Sequence, residues 1–302
     1  MAARDTLERA LRRAFSLLNE PRARRLAQVL LALGLVFLAL RVRSAWHGSH
    51  IALGSVSWPP AVGALVAAAL AVVAAACAWL GVLRMLGAPA TRRCVPVYLL
   101  AQFAKYVPGG VWQYAGRTAL ARDVGIPART TGLSITVEIA SALTASLTLS
   151  LLLFGVVGVT AALILLAVAA ALSRARLGRT RRSVTAGVLL YLPSVVLCGA
   201  SLWLVARALL PDAGAGVLFY VGAWSAAWAA GLVVVFAPGG IGVREAVIVA
   251  LLRPHLGTAD AAVVAAASRL VVTLADAAAA ALGASLHRRR PRVRTTPAVG
   301  DA

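Results

Sequence analysis

Long apolar segments, separated by short arginine-rich segments, make up most of this chain. A helix needs about 20 mainly apolar residues to cross the hydrocarbon core of a bilayer, fewer when flanking side chains reach the interface. Six segments fit that pattern without an internal break: Leu26–Val42, Pro60–Leu83, Gly132–Phe154, Gly155–Leu172, Val184–Ala206 and Ala262–Leu286. The pattern therefore predicts an all-α polytopic membrane protein with about six full transmembrane helices.

Two further apolar segments, 94–121 and 216–252, each contain a Pro-Gly-Gly motif. Proline removes a backbone donor and glycine loosens a helix, so each motif should break the helix that contains it. Broken helices at membrane depth persist only where they are buried in protein or line a wet cavity. We therefore predict two re-entrant hairpins, whose breaks consist of Pro108, Gly109, Gly110 and of Pro238, Gly239, Gly240.

The arginines outside these segments indicate the orientation of the chain. They cluster at 4–25, 84–93, 174–182 and 288–294. Cytoplasmic loops of membrane proteins carry an excess of Lys and Arg, and all four clusters share one side only if both Pro-Gly-Gly segments return to the side they entered from. This distribution predicts a multi-pass protein with both termini in the cytoplasm.

The same pattern divides the chain into three parts. Residues 1–25 are predicted to form a basic amphipathic helix on the cytoplasmic surface, with a merely solvated helix as the alternative. Residues 26–286 form a single transmembrane domain, and residues 287–302 form a basic, disordered cytoplasmic tail. The two halves of the domain share a Phe-Ala, Pro-Gly-Gly pattern and a charged residue about 30 positions after each proline, which is compatible with an inverted repeat.

Composition excludes several classes of protein. The chain is 61% hydrophobic and only 13% charged, which leaves no room for a soluble domain. A net charge of +20 would suit nucleic acid, but arginines placed beside apolar segments fit anionic lipid headgroups instead. The cysteines and histidines are scattered, so we expect no disulfide frame, metal site or cofactor.

Ionisable residues inside apolar segments are the candidates for function. Each costs on the order of 3 kcal/mol at the bilayer centre by insertion scales, so stability gives no reason to keep many of them. Lys105, Arg117, Arg244 and Arg269 are predicted to bind an anionic headgroup, and Glu138, Glu245 and Asp276 to balance charge or recognise an amine. The alternatives are side chains that reach the interface and static ion pairs that fix helix packing; Arg269 and Asp276 could be bridged through a neighbour.

The second break offers a further binding feature. The free N–H groups at the start of a half-helix attract phosphate, and residues 239–242 lead into a predicted half-helix near Arg244. No nucleophile, metal-ligand or nucleotide-binding motif is visible, so we expect the chain not to be an enzyme.

Two sequence motifs resemble a known family. The first is Lys105, Tyr106, Val107, Pro108, Gly109 and Gly110, followed by Arg117 and Glu138; the second runs from Ala237 through Pro238, Gly239, Gly240, Ile241, Gly242 and Val243 to Arg244 and Glu245. Together they resemble the transmembrane region of the lysylphosphatidylglycerol synthase/flippase family. The resemblance implies a bacterial or archaeal plasma membrane and movement of an aminoacylated phospholipid between leaflets. Because a synthase domain is not visible, the chain is not expected to make that lipid.

The resulting functional hypothesis is a flippase-like translocase for a phospholipid or another phosphate-headgroup lipid, with anionic or aminoacylated membrane lipids as partners. The alternative is a non-catalytic membrane subunit that partners a separate glycosyltransferase or lipid-modifying enzyme. Activity of the purified protein alone would discriminate between the two.

Overall fold

A computed structural model describes residues 43, 48–51, 53–106, 112–154, 178–212, 214–233 and 240–288. Within these ranges the chain is helical and contains no strand. The predicted spans at 26–42 and 155–172, the amphipathic N-terminus, the tail from 289 onward, and the breaks at Pro108, Gly109, Gly110, Pro238 and Gly239 lie outside the described residues.

Eight α-helices are described. They are α1 (Trp58–Met85), α2 (Cys94–Gln102), α3 (Trp112–Arg122), α4 (Ala128–Phe154), α5 (Gly178–Leu209), α6 (Val217–Val233), α7 (Val243–Leu256) and α8 (Thr258–Arg288). A short 3-10 turn, Phe103–Tyr106, continues α2 toward the first Pro-Gly-Gly motif.

Four of the described helices are long and apolar enough to cross a membrane: α1, α4, α5 and α8. They coincide with the predicted spans at 60–83, 132–154, 184–206 and 262–286, so the helical, multi-pass character of the chain is confirmed at this level. Apolar residues on the outer side of α1, among them Val62, Val66 and Leu70, are exposed. A helix surface of that kind suits contact with lipid, where exposed apolar residues cost nothing.

Both predicted re-entrant segments consist of two short helices around the break. In the first, α2 and α3 pack against each other, and in the second α6 packs against α7. Helices α2, α3 and α7, with 9, 11 and 14 residues, are shorter than a full span, as a hairpin would require, while α6 has 17 residues. Their re-entrant course and the total of six spans stay predictions.

The described helices repeat one order of elements twice. A short helix, a second short helix and a long helix follow one another twice. They are α2, α3 and α4 in the first set and α6, α7 and α8 in the second, and each Pro-Gly-Gly motif lies between the two short helices. The two sets pack together, because α4 contacts α6 and α8 contacts α2. The order of elements is what two homologous halves would produce, although it does not by itself give their relative orientation.

The long helices form the frame that holds the short ones. Helix α1 packs most extensively on α5, and α5 also contacts α4, α6 and α8. Close approach is set by small residues: a Cβ added at Gly283 of α8 would lie 2.8 Å from the backbone nitrogen of Leu100 in α2. Membrane helices lack a hydrophobic force between them and rely on such contacts. Glycine at 283 therefore brings α8 against the helix that leads into the first break.

Candidate functional site

Two clusters of polar side chains lie between the described helices. We call the first the Arg117 cluster (Trp79, Tyr98, Tyr114, Arg117 and Glu138) and the second the Asp276 cluster (Lys105, Tyr106, Arg244, Glu245, Arg269 and Asp276). All seven ionisable residues singled out in the sequence belong to one cluster or the other. Ion pairs join six of them: Lys105 with Asp276, Arg117 with Glu138, and Arg269 with Glu245.

The Arg117 cluster centres on a buried guanidinium. The side chain of Arg117 is only 1% exposed and forms a charged hydrogen bond from Nη1 to Oε2 of Glu138. Its guanidinium carbon lies 4.1 Å from the ring centroid of Tyr98 and 5.3 Å from that of Trp79. Aromatic rings stabilise a cation through their quadrupole, and more so when water is excluded. Arg117 is therefore a neutralised, enclosed cation that does not reach the interface.

Glu138 connects α4 to both helices that flank the first break. Its Oε1 accepts a hydrogen bond from the hydroxyl of Tyr98 in α2 at 3.0 Å, while Oε2 pairs with Arg117 in α3. In the same region, the indole N–H of Trp79 in α1 donates to Ser134 of α4 at 2.9 Å. The cluster thus ties four helices together through its ion pair and hydrogen bonds, although Nε of Arg117 is buried without a partner among the described residues. The number of helices that these contacts join indicates a structural role.

The Asp276 cluster joins the first break to the last helix. Asp276 of α8 is fully buried, and its Oδ2 accepts from Lys105 Nζ at 2.7 Å and from the hydroxyl of Tyr106 at 2.6 Å. Both donors sit in the 3-10 turn immediately before Pro108. The guanidinium of Arg269 lies 5.5 Å from the ring centroid of Tyr106. Tyr106 is therefore a neighbour that bridges Arg269 and Asp276, as the spacing of the two residues suggested.

Glu245 occupies the start of α7. Its Oε2 accepts a hydrogen bond from the backbone N–H of Gly242 at 2.6 Å, and its Oε1 lies 3.6 Å from Nε of Arg269. A carboxylate at a helix N-terminus satisfies free donors and the helix dipole. The helix start that was predicted to attract phosphate therefore already holds a carboxylate of the protein itself, and an external anion would have to bind through the neighbouring arginine.

That neighbouring arginine is Arg244, whose side chain is placed by two glycines. A Cβ added at Gly231 of α6 would lie 2.6 Å from Cγ of Arg244, and a Cβ added at Gly240 would lie 2.7 Å from its Nε. Gly240 also has a φ of 72°, in the left-handed region that favours glycine. The guanidinium carbon lies 5.9 Å from the ring of Trp228. Arg244 is thus held in a narrow space between α6 and Gly240, the last residue of the second break.

Arg244 differs from the other six ionisable residues in its charge partners. It forms no ion pair with any carboxylate in the described part of the chain, and its Nε is buried without a hydrogen-bond partner there. It interacts electrostatically with Arg269 and Glu245. Three cations in the Asp276 cluster therefore face two carboxylates, which leaves one positive charge inside the protein.

A second buried atom of this cluster also lacks a partner. Oδ1 of Asp276 has no hydrogen-bond partner among the described residues, although Oδ2 of the same group has two. Contacts connect the surroundings of the two atoms: Glu245, the residue after Arg244, pairs with Arg269, which lies over the ring of Tyr106, and Tyr106 donates to Asp276. Buried polar atoms are almost always hydrogen-bonded, so each of these two exceptions needs an explanation, and a bound ligand would supply both missing partners.

Sequence analysis missed the aromatic part of both clusters. Trp79, Tyr98 and Tyr106 contact the charged groups directly, yet tyrosine and tryptophan in apolar segments also occur as ordinary packing or interfacial residues. The position of Tyr106 beside Lys105 was the one available indication. Trp228 of α6 is a further aromatic residue of this kind, and its ring centroid lies 5.9 Å from the guanidinium carbon of Arg244.

The described residues contain no group of three or more His, Cys, Asp or Glu side chains that could hold a metal ion. Comparison of the chain with family models, with curated proteins and with solved structures finds no match.

Proposed function

We propose that this protein is a lipid translocase of the plasma membrane, which moves a phosphate-headgroup lipid between leaflets and has both termini in the cytoplasm. The protein has four membrane-length helices, and one of them, α8, carries Arg269 and Asp276 of a polar cluster with excess positive charge. A lipid headgroup needs such a polar site to pass the hydrocarbon core, while its acyl chains stay in lipid. The resemblance to the lysylphosphatidylglycerol synthase/flippase family agrees with this assignment.

The observation that carries the proposal is the uncompensated charge of Arg244. Arg244 is half-buried, but its Nε is buried without a partner among the described residues. Membrane proteins retain unpaired charges within apolar segments mainly at substrate and ion pathways. Arginine binds phosphate through a planar fork of donors. A phosphate that enters the cluster would supply both the missing negative charge and an acceptor for Nε of Arg244.

The ion pairs within the site explain how a headgroup could be released again. The ion pairs from Lys105 to Asp276 and from Arg269 to Glu245 already neutralise four of the five charges. Only one cation is left to bind phosphate strongly, so the headgroup is attracted without being trapped by several arginines. Transport requires binding that is favourable enough for entry and weak enough for exit. No nucleotide motif appears in the sequence, so exchange would be passive or coupled to an ion gradient or a partner.

Leaflet exchange in liposomes tests the proposal. We expect liposomes that contain the purified protein to exchange labelled phospholipid, and Arg244→Gln to lower the rate at least tenfold because it removes the one unpaired cation. Arg122→Gln is the matched control, since Arg122 is exposed at the end of α3 and the same charge is removed outside both clusters. Fluorescence quenching of labelled lipid in the outer leaflet gives the rate.

Two outcomes would contradict the translocase. Equal loss in Arg244→Gln and Arg122→Gln would show that exchange depends on surface charge and not on the Asp276 cluster. No exchange of any lipid by well-folded protein would favour the non-catalytic subunit, and purification of the protein with an associated glycosyltransferase or lipid-modifying enzyme would support that alternative.

Gly231→Ala tests the position of Arg244 without changing any charge. The added Cβ would overlap the Arg244 side chain, whose Cγ lies 2.6 Å away, so the guanidinium must move. We expect at least a fivefold loss of exchange with little loss of folded protein, because a flexible side chain can reorient. Gly116→Ala is the control, since nothing lies within 4 Å of a Cβ at that position in α3. Exchange as fast as in the unmodified protein would show that the placement of Arg244 is unimportant.

A further inference from the structure

The Asp276 cluster distinguishes lipid headgroups by net charge and by hydrogen-bonding capacity. We propose that its ligand is a phosphodiester headgroup of net charge −1 that carries a hydroxyl, and that zwitterionic and cationic aminoacylated headgroups bind more weakly. The inference rests on the proposed function and specifies its substrate class. It follows from the charge count of the cluster together with two unpartnered buried atoms.

The net charge of the Asp276 cluster favours an anionic headgroup. Lys105, Arg244 and Arg269 face Asp276 and Glu245, which leaves a single positive charge. A headgroup of charge −1 would make the site neutral. A zwitterionic headgroup would leave the positive charge in place, and a lysyl-modified headgroup of charge +1 would raise it to two. Uncompensated charge is costly at membrane depth, so the anionic headgroup is favoured.

The existing partners of the Asp276 carboxylate also favour a hydroxyl over an amine. To bind an amine, Asp276 would need a negative charge that no other group neutralises. However, Lys105 Nζ lies 2.7 Å from Oδ2 of Asp276, and the hydroxyl of Tyr106 donates a hydrogen bond to the same oxygen. The charge of Asp276 is therefore already neutralised. Its remaining oxygen, Oδ1, is buried and lacks a donor among the described residues. A neutral hydroxyl can donate one hydrogen bond there without bringing a further cation.

The position of Arg244 completes the arrangement. Its Nε is buried and has no acceptor among the described residues, and the contacts of Glu245, Arg269 and Tyr106 connect the start of α7 to Asp276. One headgroup that carries an anionic phosphate oxygen and a hydroxyl contains the acceptor and the donor that these two atoms lack. Phosphatidylglycerol and phosphatidylinositol have this combination, whereas a headgroup with phosphate alone lacks the donor.

Four probe lipids separate the two requirements. Phosphatidylglycerol has charge −1 and hydroxyls, phosphatidylmethanol has charge −1 and no hydroxyl, phosphatidylethanolamine is zwitterionic, and lysylphosphatidylglycerol is cationic. Binding to the purified full chain is measured by native mass spectrometry, and leaflet exchange is measured in liposomes of the same neutral host lipid. We expect phosphatidylglycerol to bind at least tenfold more tightly than the two amine lipids and about fivefold more tightly than phosphatidylmethanol.

Arg244→Gln supplies an internal check on the charge argument. It makes the cluster neutral, so we expect the preference for phosphatidylglycerol over phosphatidylethanolamine to fall at least fivefold, while Arg122→Gln leaves the preference unchanged. Asp276→Asn keeps an oxygen acceptor but raises the charge to +2, so the anionic preference should increase in whatever folded protein remains. A change in the opposite direction in either variant would overturn the charge argument.

The outcomes separate this inference from the translocase itself. Exchange that is fastest for an amine lipid would overturn the headgroup assignment and leave the translocase standing. Selective binding of phosphatidylglycerol without exchange would support the assignment and overturn the translocase. Equal binding of all four lipids would show that the cluster does not discriminate headgroups, and the inference would fail.

Discussion

Glu138→Gln is expected to destabilise the protein by about 3–5 kcal/mol, the range measured when one partner of a buried ion pair is removed. The substitution keeps the shape of the side chain but leaves Arg117, which is 1% exposed, without a counter-charge. The hydroxyl of Tyr98 would still find an amide oxygen, so the loss comes mainly from the unpaired guanidinium. Resistance to unfolding in bicelles, measured by titration with a denaturing detergent, gives the change.

A charge-neutral double variant separates the cost of an unpaired charge from the loss of contacts. Arg117→Met combined with Glu138→Gln removes both charges, and we expect it to recover most of the stability that Glu138→Gln loses, since buried pairs are often replaceable by apolar groups. Asp123→Asn, an exposed carboxylate in the connection that follows α3, should change stability by less than about 0.5 kcal/mol. Equal stability of Glu138→Gln and the unmodified protein would show that Arg117 has access to water.

Asp276→Asn is expected to cost about 3 kcal/mol, the lower end of the same range. Asp276 is fully buried, but its partner Lys105 retains 24% side-chain exposure and can turn partly toward water. The amide would still accept from Tyr106 while losing the attraction to the ammonium. We also expect leaflet exchange to fall at least tenfold, because the cluster would hold two excess positive charges and would release a bound phosphate more slowly.

The effects of Asp276→Asn on folding and on exchange can be distinguished. Lys105→Gln combined with Asp276→Asn restores the original excess of one charge, so we expect stability to recover by at least half. Asp212→Asn removes an exposed carboxylate from the connection after α5 and serves as the control for net charge. Recovery of stability without recovery of exchange would assign Lys105 and Asp276 a part in transport. Recovery of neither would show that the excess charge is not the cause of the losses in Asp276→Asn.

The clusters have different physical characters, although the sequence presents their residues alike. Arg117 and Glu138 are paired, enclosed by aromatic rings and linked to four helices, which is the arrangement of a structural joint. Each cluster has unpartnered buried atoms, Nε of Arg117 in the first and Nε of Arg244 with Oδ1 of Asp276 in the second, but only the Asp276 cluster has an excess cation. We therefore expect substitutions in the first cluster to act mainly on stability, and Arg244→Gln in the second to act mainly on exchange.

The amino-acid sequence by itself determined the helical, membrane-embedded class of the protein and the position of its long helices. Apolar length and period are local properties, so α1, α4, α5 and α8 could be predicted within a few residues. It also identified every ionisable residue of the two clusters, because any charge inside an apolar segment is conspicuous. The interruption of the two remaining segments followed from local chemistry as well, since proline and glycine act on the backbone where they stand.

Only the tertiary structure decided which charges neutralise one another. Lys105 and Asp276 are 171 positions apart in the chain but 2.7 Å apart in space, and Glu245 turned out to occupy the helix start that seemed free for phosphate. Pairing depends on how helices from distant parts of the chain pack, which no local pattern encodes. The same packing left Arg244 as the cation without a carboxylate among the described residues, and an unpaired charge is a property of the assembled surroundings and not of the residue.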